Sequence, residues 1–279
     1  MNKSPLKSFI VTLLYAFVFF IIISKTTKIH IGLGIVSTLI ILGVILYFKR
    51  ATFYSLRAQM LFNTDKQKAF DLFEKAYKTN KMKPQIALLY CYLLLRDAQV
   101  DVADKKIDEI LEKYKTNLSE TDIKNAHLNK ALIKWKSSDL SGAIKKAEAL
   151  YESGFKTTAL YGVLGYWYIL DNQYQKAFEI NKEAYEYNNS DLIIADNLAQ
   201  NYYLLGDLEK SYEMYLQILK KEPTFIEPYY NFALVLIEKN EKDMAIKYLK
   251  KALEIEEKFL SDITHKQINE LLNKLGNDA

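Results

Sequence analysis

Half of the 279 residues are apolar and Tyr is frequent at 21, while Gly and Pro number only 9 and 4, a balance that disfavours a turn-rich β fold and suits packed helices. The net charge of +4 resides in Lys3, Lys7, Lys25 and Lys28, the only charged side chains before Lys49; the remaining 34 basic and 34 acidic residues cancel. With no basic block in that remainder, nucleic acid is excluded as an expected partner, and the single cysteine, Cys91, excludes an intramolecular disulfide.

Two uncharged apolar runs open the chain, Phe9 to Ser24 and Ile31 to Phe48. At ~1.5 Å per residue each forms a helix of roughly 24 to 27 Å, a little under the ~30 Å of a hydrocarbon core, and flanking lysines can reach the headgroups. The expected order is an N-terminal segment 1–8, a transmembrane helix 9–24, an external link 25–30 and a second transmembrane helix 31–48. A cleaved signal peptide is the competing reading of the first run. No Ala-x-Ala-like site follows Ile23, where Ser24, Lys25 and Thr26 stand, and the second run follows at once, as in a helical hairpin. Lys3, Lys7, Lys49, Arg50 and Arg57 on one side outweigh Lys25 and Lys28 on the other, which predicts a multi-pass protein of the cell (inner) membrane with residues 1–8 and the C-terminal region cytoplasmic. Gly32, Gly34, Ser37, Thr38 and Gly43 are small enough to let two helices approach, and no acidic residue or Arg lies within either run to line an ion path.

From residue 50 onward a period appears. Ala69, Ala103, Ala143, Ala177, Ser211 and Ala245 recur at intervals of 34, 40, 34, 34 and 34, and twelve residues upstream of the last five stand Cys91, Ala131, Gly165, Ala199 and Ala233. Small residues at this spacing are what two antiparallel helices need where their backbones touch. The reading is all-α: a repeat array over 50–259 with units 50–83, 84–117, 124–157, 158–191, 192–225 and 226–259, then a C-terminal cap helix, 260–279, helical from Ser261 to Leu275 with Ile263, Ile268, Leu271, Leu272 and Leu275 on its apolar side. No Pro or Gly separates the second span from the first unit, so the unit's first helix is expected to continue the membrane helix. The interval of 40 places six extra residues around Thr116 to Asp122, with Ser119 and Thr121 as candidate helix caps; a longer loop or an extended second helix is expected there.

The clearest unit, Ile226 to Phe259, carries one helical stripe at Tyr229, Phe232, Ala233 and Leu236 and another at Ala245, Leu249 and Ala252. The unit before it repeats the pattern with Leu198, Ala199, Tyr202, a Gly206-Asp207 turn, Ser211, Tyr215, Ile218 and Pro223. This array resembles the tetratricopeptide repeat family, whose W-x2-L-G-x2-Y…A-x3-F…P pattern is matched best by Tyr161, Leu164, Gly165, Tyr168 and Ala177. Three departures stand out: Lys130 and Lys134 replace apolar residues, Arg57 occupies a small-residue position, and Pro223 is the only closing proline in place.

The resemblance implies an α-solenoid of about six helix pairs, with the first helix of each pair lining a concave groove that binds a protein or peptide. At i, i+4, i+7 spacing the lining sets are Leu88, Tyr92 and Leu95; Leu128, Leu132 and Trp135; Gly162, Tyr166 and Ile169; Asp196, Gln200 and Tyr203; and Tyr230, Leu234 and Ile237. Among these, Tyr92, Leu95, Trp135, Tyr166, Ile169, Gln200, Tyr203 and Tyr230 are the candidate partner contacts, suited to an amphipathic helix or an extended segment. Two other fates are open to them: packing against the next helix, or cover by the chain's own terminal helix or by another copy. Asn197 and Asn231 stand near places where some relatives grip a terminal carboxylate, but the matching basic residues are missing.

Catalytic chemistry is not expected. His30, His127 and His265 are scattered, no HExxH or GxSxG occurs, and the acidic pairs Asp104 with Asp108 and Glu256 with Glu257 read as solvated helix charge. No metal or cofactor is implied. The function expected is a membrane-tethered scaffold that recruits a protein or peptide to the cytoplasmic face, contacting lipid only through its spans. The alternative is a structural subunit of an integral membrane complex held by the hairpin. The wealth of Lys, Asn, Ile and Tyr suits an AT-rich bacterial genome.

Overall fold

A computed structural model describes residues 5–277, and all of the regular structure among them is helical, fourteen helices with no strand. The chain divides into two units, Met1–Ile86 and Ala87–Ala279.

The first unit holds α1 (Pro5–Ile29), α2 (Ile31–Leu61) and α3 (Lys66–Lys78). His30 alone separates α1 from α2, so the polar stretch expected as a link over 25–30 is mostly helix. The reason is local: the Thr26 and Thr27 hydroxyls donate to the carbonyls of Ile22 and Ile23 at 2.9 and 2.7 Å, so their polarity is satisfied within the helix. His30 Nδ1 then accepts from the Gly32 amide at 3.0 Å and caps α2. The two helices pack beside the turn, where Thr26 Oγ1 and Ser37 Oγ lie 2.8 Å apart and Gly34 sits so close to Thr27 that an added Cβ would overlap its hydroxyl.

Away from this seam the apolar side chains face outward; Phe17, Phe20, Leu39 and Ile40 are each more than 60% exposed. One helix among the described residues, α2, is long and apolar enough to cross a membrane, where two spans were expected. Of the first expected span, 9–24, the side chains of 9–14 and 16 lie outside the described residues. As expected, α2 runs on without a break into the repeat region, and its 31 residues make a rod of ~46 Å, longer than a hydrocarbon core. Its far end packs on α3 through buried Ala51, Ser55 and Ala58 against Ala69, Phe70, Phe73 and Ala76. Arg57 is exposed, and its neighbour Ala58 fills the small-residue position instead.

The second unit begins within α4 (Pro84–Arg96) and continues through α5 (Val100–Lys113), α6 (Glu120–Lys136), α7 (Leu140–Glu152), α8 (Thr158–Leu170), α9 (Tyr174–Tyr187), α10 (Leu192–Leu204), α11 (Leu208–Leu219), α12 (Glu227–Glu238), α13 (Lys242–Leu253) and α14 (His265–Asn277). The small residues of the period lie at the helix crossings, with Cys91, Ala103, Ala131, Ala143, Ala177, Ala199, Ser211, Ala233 and Ala245 fully enclosed. Burial pushes the Cys91 thiol up to about 12, which leaves it an inert small hydrophobe. Ser211 Oγ donates to the Ala199 carbonyl at 2.8 Å, so the one hydroxyl in the series is satisfied. At Gly165 the neighbour is the Asn181 amide, which occupies the space a Cβ would need.

A second periodicity lies in the backbone. Ala98, Ser138, Asn172, Gly206 and Asn240 all have positive φ, at intervals of 40, 34, 34 and 34, and each ends the first helix of a pair. The following amides of Gln99, Asp139, Gln173, Asp207 and Glu241 reach back to the carbonyls of Leu94, Lys134, Tyr168, Tyr202 and Leu236 at 2.8 to 3.0 Å, a Schellman closure that turns the chain sharply into the second helix. Only one of the five positions is Gly, so the left-handed turn is imposed by the repeat rather than by the residue.

The six extra residues mainly lengthen the first helix of the following pair, not the loop or a second helix: α6 has 17 residues where α4 and α8 have 13. Ser119 caps it in a reciprocal box with Asp122, each side chain bonded to the other's amide at 3.1 Å, while Thr121 lies inside the helix. Lys130 is not a solvated departure either. Its ammonium bridges Asp104 and Asp108 of α5 at 2.6 and 2.7 Å, so this acidic pair is tied down across a helix interface. Burial works against that charge, but the two carboxylates outweigh it and hold the Lys130 pKa above the ordinary lysine value. Lys134 pairs with Asp139 at the next turn.

Candidate functional site

The first helices of the pairs, α4, α6, α8, α10 and α12, carry the predicted lining residues, and their fates differ. Leu95, Trp135 and Ile169 are buried, as are Leu88, Leu128 and Leu132; Tyr92, Tyr166, Gln200, Tyr203 and Tyr230 are half-buried. Trp135 sits edge-to-face on Tyr166 with ring centroids 6.1 Å apart and leans on Trp167 at 5.7 Å. The Lys136 ammonium lies 4.2 Å from the centroid of the Trp135 ring. The middle of this surface is therefore aromatic with a cation on it.

Polar groups on the same helices are spent on one another. Asn197 Nδ2 donates to the Gly162 carbonyl at 2.8 Å and Asn231 Nδ2 to Asp196 Oδ1 at 3.4 Å, and both asparagines are buried. Burial, with the nearby Glu227 charge adding to it, pushes the Asp196 carboxyl up to about 8; Asn231 and Tyr215 pull the other way. Gln200, one helical turn further along α10, keeps its Oε1 buried without a hydrogen-bond partner.

A segment of the chain itself lies on this surface. Residues 254–264, between α13 and α14, form the longest irregular connector among the described residues. From it, the Ser261 carbonyl and the Asp262 carboxylate accept from Lys136 Nζ at 3.1 and 3.2 Å, and the Phe259 ring centroid is 5.3 Å from the same ammonium. Ser261 Oγ donates to Glu227 Oε1 of α12 at 2.6 Å, and the Tyr166 hydroxyl of α8 faces the Asp262 carboxylate. That hydroxyl is held well above the ordinary tyrosine value, first by burial and then by the charges of Asp262, Glu227 and Asp196. Lys258 anchors the start of the stretch on the Thr224 carbonyl at 2.8 Å.

Self-cover was one of the fates open to the groove, with the terminal helix as its expected agent. The structure divides the cover between two parts: α14 packs on the last pair through Ile268 and Leu275, in the same cluster as Tyr203, Tyr230 and Ile237 and with Glu270 near Tyr230, while the connector before it meets Lys136, Tyr166 and Glu227. Lys136, Glu227 and Asp262, which organise the contact, were not among the candidates. The signal available was a run, Phe259-Leu260-Ser261-Asp262, that breaks the helix period between two helical stretches. Among the described residues no group of three or more His, Cys, Asp and Glu side chains is placed to hold a metal ion.

Comparison with known proteins agrees with this architecture. The tetratricopeptide repeat model matches residues 226–259, the bounds also read from spacing. The TPR repeat-containing protein MJ1428 of Methanocaldococcus jannaschii is 25% identical over 178 residues, which cover 62% of this chain and 31% of that protein; the chain thus spans about a third of its relative's length. A tetratricopeptide repeat protein from Parabacteroides merdae superposes on 93% of this chain and 99% of its own with a TM-score of 0.61 at 14% identity. A thermophilic TPR protein of Thermus thermophilus covers 70% of this chain and 100% of its own with a TM-score of 0.54 at 18% identity. By fold the chain is a tetratricopeptide-type α-solenoid, and its repeat at 226–259 carries the sequence signature of that family.

Proposed function

We propose that this chain is a membrane-tethered interaction scaffold that holds a protein or peptide partner at the cytoplasmic face of the cell membrane through the lining of its solenoid. The observation that carries the reading is α2, one continuous helix whose first part exposes aliphatic side chains everywhere but along its seam with α1 and whose last part is built into the repeat region. Apolar surface of that extent is at home in lipid, and α1, packed beside it, supplies the second span of a hairpin. Where the apolar stretch of α2 ends, the Arg50 guanidinium lies 4.0 Å from the Tyr47 ring centroid and the Lys81 ammonium 4.5 Å from that of Phe48, the aromatic and basic pairing of a headgroup layer. The lysines and arginines flanking the hairpin favour a cytoplasmic solenoid, and the scattered histidines and tied carboxylates favour binding over catalysis.

One observation favours the structural-subunit alternative. Gly43 of α2 has nothing within 4 Å of where its Cβ would be, a gap among Leu39, Ile40, Leu46 and Tyr47 where a further membrane helix can approach. Two measurements on the full chain separate the readings. A reporter fused to the C-terminus, active only outside the cytoplasm, is expected to stay silent; an active reporter overturns the cytoplasmic placement. Partner recovery from solubilised membranes is expected to fall with Tyr203→Ala and Tyr230→Ala and to survive Gly43→Leu; the reverse pattern assigns the function to the hairpin.

A further inference from the structure

We propose that the concave lining recognises an extended segment in which an aromatic residue stands three positions before an acidic one, and that residues 258–262 are such a segment, bound in cis and displaced when a partner protein presents the same chemistry. This rests on the reading of the solenoid as a binding scaffold and names what it binds.

The connector is held as a bound peptide is held. Side chains from three separate helices converge on Ser261 and Asp262, and they read both main chain and side chain: Lys136 takes the Ser261 carbonyl and the Asp262 carboxylate, Tyr166 faces Asp262, and Glu227 takes the Ser261 hydroxyl. Phe259 supplies the apolar anchor beside Lys136, whose ammonium also lies over Trp135. A connector serving only to join α13 to α14 has no need of a cation 126 positions away.

The hold is of an exchangeable kind. It is polar, and the Asp262 side chain keeps 31% of its surface exposed, so water can replace its bonds one at a time. It is also opposed from within, because the Glu227 carboxylate stands near the same Tyr166 hydroxyl that Asp262 faces, leaving Lys136 to offset the Asp262 charge. The cis segment is tethered at both ends, so it competes at a high effective concentration, and freeing the surface raises the apparent affinity of any ligand in trans.

The test uses the full chain in detergent and a fluorescent synthetic peptide of residues 256–264. Wild-type protein is expected to bind it weakly, and Asp262→Lys, which sets two ammonium groups against each other, to bind it at least tenfold more tightly. Adding Lys136→Asp to Asp262→Lys re-forms an ion pair of reversed sign in cis and removes the carboxylate receptor, so the gain should vanish. Circular dichroism checks that the helices persist, and Asp262→Asn gives the same direction of change with less disturbance. Equal binding by wild type, Asp262→Asn and Asp262→Lys overturns the proposal, as does peptide binding indifferent to Lys136→Asp. A gain in peptide binding with no recruitment of any protein to membranes would sink the scaffold function and leave this recognition standing. Groove-dependent recruitment with no gain in peptide binding would sink this recognition alone.

Discussion

The Lys136 ammonium at the end of α6 meets the Asp262 carboxylate at 3.2 Å across 126 positions of sequence, and the pair pins an irregular connector onto the lining of the solenoid. Lys136→Ala deletes this pair and the bond to the Ser261 carbonyl together. The expected loss is about 1–2 kcal/mol of stability, with faster amide exchange confined to residues 254–264. Hydrogen-exchange mass spectrometry reads this directly, and unchanged exchange there would mean that the connector is held by other contacts.

Two of the three exceptions to the alanine series, Gly165 and Ser211, make predictions of different size. Gly165→Ala drives a methyl into the fully buried Asn181 amide, which donates to Asn201 Oδ1 at 2.5 Å and cannot move without breaking that bond. It should cost about 2–3 kcal/mol. Ser211→Ala restores the series residue and loses one hydrogen bond to the Ala199 carbonyl, so it should cost under ~1 kcal/mol. Urea unfolding of both variants checks the order.

Stability should fall as pH rises from about 4 to about 8, with Asp196 as a principal cause. Its carboxyl is pushed up to about 8 in the folded chain by burial, whereas in the unfolded chain it ionises near its ordinary value of 3.8. Between those limits the unfolded state releases a proton that the folded state keeps, which favours unfolding as pH increases, with a slope of at most ~1.4 kcal/mol per pH unit. Below pH 4 both states are protonated and the effect is absent. Asp196→Asn should flatten the thermal-midpoint profile over this window; a profile as steep as that of wild type assigns the dependence to other groups.

Glu183 works in the opposite sense at the acid end. Burial opposes its charge, but Lys156, Tyr151 and Tyr161 all bond to it and hold its carboxyl down to about 2. Its contribution is present above pH ~4.5 and is lost as pH falls toward 2. Glu183→Gln should therefore lower stability at pH 7 and reduce the loss between pH 5 and pH 2, measured by urea titration at each pH.

What the sequence made legible was what repeats. The small residues at helix crossings, the unit at 226–259, the Ser119 cap and the run of α2 into the repeat region all follow from local spacing and from side chains whose partners lie within a turn or a repeat. What escaped was held by distant or conditional polar contacts. Lys130 reads as a misplaced charge until Asp104 and Asp108 are seen to flank it. Lys25 to His30 read as a link between helices because composition does not reveal that threonine hydroxyls can bond back into the helix. Leu95 and Ile169 read as lining residues because i, i+4, i+7 spacing fixes a face but not what covers it. The Lys136 to Asp262 contact has no periodic signal at all, since its partners belong to a repeat helix and to the one long connector that departs from the pattern.

The central claim is that residues 258–262 occupy the lining in cis, and a distance between two labels tests it most directly. Spin labels at Ser137 and Glu256, both exposed, can be read without interference because the only native thiol, Cys91, is buried and held protonated. The account predicts one narrow distance distribution in the wild-type background and a broader, longer one in Asp262→Lys. A broad distribution in both, or the same narrow one in both, would contradict it.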